Sequence, residues 1–263
     1  QAVTRQMVSI PARCEADLSR FRHDQIRVLE SRRHGNKLRT GHLRGNRFSI
    51  LIRGAAADAL NRARAIADRL AVTGIPNYFG DQRFGRDNET LELGFELLRG
   101  TKRPGSIPRA RRKFLLRLAL SAVQSSLFNQ ALAARLAEGT LHTVVPGDVM
   151  QVVASGGPFV VEDVPREQAR FGAGEIVISG PIFGPKMKQP TGEVAAREAA
   201  LLATAGLTLE AFTQYANLTP GTRRPYLIRI GDLRVAEKRE GIRFDFTLPS
   251  GSYATVVLRE FQK

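Results

Sequence analysis

Alternating and β-branched apolar residues are concentrated near the two ends of the 263-residue chain. Alternation with a period of two places successive side chains on opposite faces of a strand and is typical of a half-buried sheet. Near the N-terminus this pattern predicts strands over residues 2–10, 25–33 and 46–53. Near the C-terminus it predicts strands over residues 225–230 and 241–247.

Apolar residues at helical spacing dominate the middle of the chain. An alanine-rich helix is predicted over 55–71, and Thr73-Gly74 is a typical helix end. A final helix is predicted from about Ser252, whose hydroxyl is suited to an N-cap. The same reasoning predicts helices over 89–98, 111–136 and 193–205, short strands over 143–153 and 175–179, and a loop over 180–190.

Strand-rich ends around a mostly helical middle indicate an α+β fold, or mixed α/β, that carries an insertion. We therefore predict two units. The first is a core sheet built from residues 1–73 and 222–263. The second is a mostly helical inserted domain over residues 74–221.

The charge distribution follows the same division. The chain has 40 Lys and Arg against 25 Asp and Glu, a net charge of +15. Residues 1–73 hold 15 cations against 6 anions and residues 222–263 hold 9 against 5, whereas residues 74–221 are nearly balanced with 16 against 14. Arginine pairs with phosphates and stacks on bases, so RNA is the favoured partner. A charge that serves solubility or an anionic membrane surface stays open, although no basic amphipathic helix is evident.

Several classes of protein are excluded or disfavoured. No apolar stretch reaches 18 residues, so a transmembrane helix is not predicted and no membrane partner is expected. The single cysteine, Cys14, allows neither an internal disulfide nor a cysteine-based zinc site. The four histidines are scattered, so we expect no metal. Without a secretory signal pattern in the first residues, we expect a cytoplasmic protein.

Four motifs occur in order along the chain. They are Gln1-Ala2-Val3-Thr4-Arg5-Gln6, Gly45-Asn46-Arg47-Phe48, the sequence GIPNYFGDQRFG over Gly74–Gly85, and LPSGSYAT over Leu248–Thr255. They resemble the KDxxAxTxQ, GNxF, GxPNYFGxQRFG and LPxGSYAT motifs of the TruD family of tRNA pseudouridine synthases. Ser126-Leu127-Phe128-Asn129 is a weaker match. The resemblance spans nearly the whole chain.

The resemblance implies an isomerase that needs no metal and no organic cofactor. An aspartate attacks or deprotonates the ribose of the target uridine, and the uracil detaches, turns and rejoins through carbon. The usual target of the family is uridine 13 in the D arm of tRNA. By resemblance, Phe48 stacks on the target base and Asn46 holds the catalytic carboxylate, while Thr4, Gln6, Gly251 and Ser252 support the site. From the residues alone, Phe48 fits a core position and Asn46 a turn.

The family motif places the catalytic aspartate two positions before Gln1. Asp17 and Asp24 lack the surrounding motif, so neither takes the role. Residues 1–263 by themselves are therefore expected to be inactive. The alternative is an RNA-binding protein of the same fold without catalysis, acting as an RNA chaperone or assembly factor. A structural RNA-binding protein, such as a ribosomal one, explains the charge but not the order of the motifs.

Two clusters of basic residues are candidates for RNA contact. The first is a dense cationic stretch in the basic core, which suits phosphate neutralisation. Its candidate contacts, with one residue of the first motif, are Arg5, Arg32, Arg33, Lys37, Arg39, Arg44 and Arg47. The second, over residues 109–113, fits a solvated helix start as well as a phosphate clamp. We expect tRNA as the partner, a monomer, and a joint between the two units at Gly74–Gly85.

Overall fold

The computed structural model describes residues 3–38 and 43–262, in which seven α-helices and nine strands occur. The helices are α1 (Ala59–Thr73), α2 (Glu89–Leu98), α3 (Arg109–Ala137), α4 (Val164–Ala173), α5 (Gly192–Thr204), α6 (Leu209–Thr213) and α7 (Ala254–Arg259). The strands are β1 (Gly45–Arg53), β2 (Ile75–Pro76), β3 (Val149–Val152), β4 (Pro158–Val160), β5 (Ile176–Ile182), β6 (Thr222–Pro225), β7 (Leu227–Ile228), β8 (Arg234–Lys238) and β9 (Gly241–Pro249). This mixture confirms the predicted α+β fold class.

The two ends of the chain share one antiparallel sheet with the strand order β1-β9-β8. Strands β1 and β9 pair along their whole length, from Gly45 opposite Pro249 to Arg53 opposite Gly241. One face of the sheet packs against α1 and α7, because Phe244 and Phe246 share a buried cluster with residues of both helices. The apolar alternation of β9 produces this face, since its even-numbered residues from Ile242 to Leu248 are buried.

The long helix α3 organises the middle of the chain. Its first half packs with α2, α5 and α6 in a cluster that contains Leu120 and Phe212. Its second half packs on the four-stranded sheet β4-β3-β5-β6, in a cluster that contains Phe128 and Met150. Apolar residues on more than one side of α3 are therefore buried, as expected of a helix shared by two cores.

A short ribbon of β2 and β7 lies where these parts meet. Ile75 and Ile228 pair and belong to the cluster of the chain ends. Leu227, the partner of Pro76, belongs to the cluster of the middle sheet. Strand β6 immediately precedes this ribbon and pairs with β5 of the middle sheet.

Two strand predictions near the N-terminus are wrong for the described residues. Residues 3–10 and 25–33 contain no strand, and apolar side chains such as Val3 (97% exposed) and Val8 (74% exposed) face solvent. Apolar alternation does not by itself provide the backbone partner that a strand requires. The segment is instead joined through Ser9, whose hydroxyl oxygen accepts a bond from Leu38 N at 3.0 Å.

Candidate active site

Strand β1 carries Asn46 and Phe48 on the face of the sheet that packs against the core. Asn46 lies opposite Leu248 and Phe48 opposite Phe246, and both partners on β9 are buried. The rings of Phe48 and Phe246 are stacked with their centroids 5.5 Å apart. Phe48 is half-buried and Asn46 is exposed. Phe48 therefore packs against the core while the residue keeps part of its surface exposed.

The opposite face of the same sheet is polar. Asp232 accepts bonds from the backbone N–H and the hydroxyl of Thr247, and the hydroxyl contact is the main cause that lowers the pKa of Asp232. A hydrogen bond from Ser49 is the main cause that lowers the pKa of Asp245. Arg47 contributes to both shifts by its charge. Because side chains alternate along a strand, Arg47 lies on the face away from Asn46 and Phe48.

The turn after β9 adjoins the start of β1. Ser250 N–H donates to Arg44 O at 3.1 Å, which extends the pairing of the two strands. Gly251 has φ +86°, a left-handed conformation that favours glycine at this turn. The second and fourth motifs are thus neighbours at one end of the sheet.

Asn77 is buried at the centre of a hydrogen-bonded group that we call the Asn77 joint, made of Asn77, Arg224 and Ser252. The Asn77 Oδ1 atom accepts bonds from Arg224 Nη2 at 2.7 Å and from Ser252 Oγ at 3.1 Å. Its side-chain amide donates to Pro225 O at 3.0 Å. The joint therefore ties the third motif to the fourth and to β6.

Aromatic rings enclose the guanidinium group of the joint. The Arg224 Cζ atom lies 4.0 Å from the ring centroid of Phe79 and 5.4 Å from that of Phe128. Burial lowers the pKa of Arg224 to about 10. Phe79 also meets the ring of Tyr253, and its backbone N–H donates to Asn129 Oδ1 at 2.8 Å. The third motif thus contacts both α3 and the turn before α7.

Comparisons with known proteins cover the whole chain. The family model described as tRNA pseudouridine synthase D (TruD) matches residues 1–104 and 103–261. The chain belongs to the TruD family.

Curated relatives and a solved structure agree with this assignment. A tRNA pseudouridine synthase D of Anaeromyxobacter sp. is 42% identical over 262 residues, which are 100% of this chain and 74% of the relative. One from Thermus thermophilus is 42% identical over 264 aligned positions, which cover 100% of this chain and 71% of the relative. A crystal structure of a TruD candidate from Methanosarcina mazei has a TM-score of 0.71 at 23% identity, covering 94% of this chain and 75% of its own, and shows the same fold.

In this TruD family member, the predicted site residues fall into two groups. Asn46, Phe48, Gly251 and Ser252 lie at one end of the β1–β9–β8 sheet. Thr4 and Gln6 are exposed, and within the described residues their side-chain hydrogen bond joins them to each other at 3.4 Å.

The predicted RNA-binding residues are exposed wherever the structure describes them. Arg33 is paired with Glu15 at 2.7 Å, and Arg32 lies 3.5 Å from Glu30. Arg39 lies outside the described residues. The other predicted contacts are Arg5, Lys37, Arg44 and Arg47, all of them exposed.

Ser252 has a different local role from the one predicted. The N-cap of α7 is Tyr253, and Ser252 instead directs its hydroxyl to Asn77. Arg224 is the residue of this site that the sequence pattern missed. Arg223 and Arg224 are adjacent in the short strand β6. Nothing in the local sequence shows which of the two lies between the rings of Phe79 and Phe128.

Among the described residues, no helix is both long and apolar enough to cross a membrane. No group of three or more His, Cys, Asp or Glu side chains within residues 3–38 and 43–262 is arranged to hold a metal ion.

Proposed function

We propose that this TruD family member isomerises a uridine in the D arm of tRNA, uridine 13, to pseudouridine. The observation that carries the proposal is the meeting of the second, third and fourth family motifs at one end of the sheet, where Phe48 is packed on Phe246 and half-buried. Base–aromatic stacking contributes about 1–3 kcal/mol per base, which offsets part of the cost of extruding a base from its stack.

Each residue has a role in the proposed reaction. Phe48 stacks on the extruded uracil, and the exposed amide of Asn46, on the same face of the strand, orients the catalytic carboxylate. That carboxylate is the aspartate that the family motif places two positions before Gln1. It attacks or deprotonates the ribose, the uracil leaves and turns, and a carbon–carbon bond replaces the carbon–nitrogen bond. Atoms are conserved, so the reaction needs no external oxidant or reductant.

The division into two units is part of the proposal. We propose a catalytic core from residues 1–73 and 222–263 and an inserted domain over 74–221. The shared sheet of β1 and β9 and its own buried cluster support the core. Because β6 pairs with β5 of the middle sheet, we place the end of the inserted domain close to Tyr226. This is a few residues beyond the boundary after residue 221 that the charge distribution predicts.

The test uses protein expressed from the complete reading frame and unmodified tRNA. Pseudouridine is located by carbodiimide labelling and primer extension. We expect a single stop at the D-arm uridine, and none after Asp→Asn substitution at the position two before Gln1. A folded protein that binds tRNA but yields no pseudouridine contradicts the proposal and favours an RNA-binding protein without catalysis.

A further inference from the structure

The basic charge of the middle segment is concentrated at one place. Seven of its sixteen cations lie between Lys102 and Arg117, and no acidic residue occurs between Glu96 and Glu138. The rest of the segment holds nine cations against fourteen anions. The near-neutral total over residues 74–221 therefore conceals a strongly basic surface at the beginning of α3.

An exposed aromatic ring stands within this surface. Phe114 is 67% exposed, more than any other Phe or Tyr of the described chain. Its neighbours Leu115 and Leu116 pack against the core, so the fold leaves Phe114 on the solvent side of the helix. Arg111 and Arg117, three residues before and after, lie on the same side of α3.

Most of these cations form no ion pair within the described residues. Arg112 donates to Ile107 O at 3.1 Å and to Gly105 O at 3.0 Å, which fastens the loop before α3. Within the described chain, no carboxylate forms an ion pair with Arg109, Arg111, Lys113 or Arg117. Positive charge in the first turn of a helix is unfavourable for the helix. Arg109 and Arg111 therefore place positive charge in the first turn of α3 without an ion pair that offsets this cost.

The surface lies on the side of α3 that leads to the candidate active site. Ser121 and Ser125 follow Phe114 by seven and eleven positions, which places them on the same helix face. Both accept bonds from Arg83, at 2.7 and 3.3 Å. Asn129, one turn further, donates to the backbone oxygen of Phe79, whose ring packs on Arg224 of the joint. At a rise of about 1.5 Å per residue, Phe114 is roughly 22 Å along the helix from Asn129.

We propose that Arg111, Phe114 and Arg117, together called the Phe114 platform, bind an unpaired base of the substrate RNA remote from the target uridine. Phe114 stacks on the base, and the two arginines contact the flanking phosphates. An exposed ring between unpaired cations is suited to a nucleotide, which offers a flat face and negative charge together. The inference rests on the proposed function in taking tRNA as the substrate.

The experiment measures the affinity of the chain for an unmodified tRNA transcript by fluorescence anisotropy at several salt concentrations. We expect Phe114→Leu to weaken binding about fivefold or more, because it keeps an apolar side chain but removes the ring. Phe114→Tyr, which keeps the ring, is expected to bind within twofold of the unaltered chain. Arg117→Gln is expected to weaken binding and to lower the slope of log affinity against log salt by about one.

Arg166→Gln is the matched control, since Arg166 is an exposed arginine of α4 and its substitution removes the same charge elsewhere in the middle segment. Equal losses from Arg117→Gln and Arg166→Gln, or unchanged affinity of Phe114→Leu, would overturn the platform. If Phe114→Leu weakens binding to vesicles of phosphatidylserine and phosphatidylcholine but leaves the affinity for tRNA unchanged, the surface binds a membrane instead. If the full-length protein forms no pseudouridine but Phe114→Leu and Arg117→Gln weaken tRNA binding as expected, the proposed function is contradicted and the platform is not.

Discussion

At the scale of single residues, Phe48 combines a packing contact on Phe246 with an aromatic ring at a half-buried position. Phe48→Ala removes both, whereas Phe48→Tyr keeps the stack on Phe246. We therefore expect Phe48→Ala to reduce turnover on tRNA by about tenfold or more, and Phe48→Tyr to retain most of it. Single-turnover assays of pseudouridine formation provide the measurement.

Thermal unfolding of the Phe48 variants separates the two contributions. We expect both to remain folded at the assay temperature, with Phe48→Ala the less stable. Equal loss of turnover from the two variants, together with unfolding, would return Phe48 to a purely structural role.

Asn77 has more hydrogen-bond partners than Ser252, so the two residues of the joint differ in importance. Asn77→Ala removes the donor to Pro225 O and the Oδ1 acceptor of Arg224, which keeps only its bonds to the Asn77 backbone oxygen, and we expect a loss of about 1–3 kcal/mol in the free energy of unfolding. Ser252→Ala removes one donor while Arg224 still bonds to Asn77 Oδ1, so the loss is expected to be about 1 kcal/mol or less. Urea unfolding measures both, and a larger loss from Ser252→Ala would contradict this order.

At the scale of elements, α2 and α3 approach closely because Gly94 has no side chain. A Cβ atom at this position would overlap the carbonyl oxygen of Ala119 and lie 2.6 Å from Val123 Cγ2. We expect Gly94→Ala to destabilise the protein by roughly 1–3 kcal/mol, since neither helix can yield without disturbing the core. Gly105→Ala is the control, because nothing lies within 4 Å of its Cβ position. Chemical denaturation measures the free energy of unfolding of both variants, and equal values would contradict the steric role of Gly94.

The elements that sequence predicts best are those specified locally. The helix prediction for 89–98 matches α2, and that for 111–136 falls within α3, because their apolar spacing is continuous. The alternation of β9 predicts that strand, whereas no local pattern predicts β8, because Arg234–Lys238 is short, largely polar and at an edge. The predictions of strands over 2–10 and 25–33 are wrong because a strand needs a second segment to pair with. A local apolar pattern shows only one of the two segments.

The candidate site was predictable only in part. Asn46 and Phe48 were found through the family motif and their spacing on one strand, and their shared face follows from the two-residue period. Arg224 was not found, because its cage is assembled from Phe79 and Phe128, which are distant in sequence. Long-range convergence of this kind leaves no trace in the neighbourhood of the arginine.

At the scale of the whole molecule, a buried ion pair makes stability depend on pH. Glu198 of α5 accepts a bond from Arg223 of β6 at 2.7 Å, and burial raises the pKa of Glu198 from 4.5 to about 7. Between these values the folded state holds a proton that the unfolded state releases. The contribution of Glu198 to the free energy of unfolding therefore falls as pH rises from about 4.5 to 7, by about 1–3 kcal/mol.

Glu198→Gln removes this titration while keeping an oxygen that faces Arg223. We expect the variant to show a flatter dependence of the free energy of unfolding on pH between 5 and 8. Glu193→Gln, at an exposed position of the same helix, is expected to keep the original slope. Urea unfolding at a series of pH values tests this, and parallel curves for Glu198→Gln and the unaltered protein would refute it.

The pairing of β1 with β9 also has a consequence for biosynthesis. Arg53 at the end of β1 bonds to Glu240, which is 187 positions later in the chain. At 5–20 residues per second, a ribosome takes roughly 10–40 s to make that intervening length. During this time β1 has left the ribosome without the partner that it pairs with in the finished sheet. A nascent chain stalled before Gly241 thus presents an open strand edge to other nascent chains and to chaperones, and completion of β9 ends that exposure.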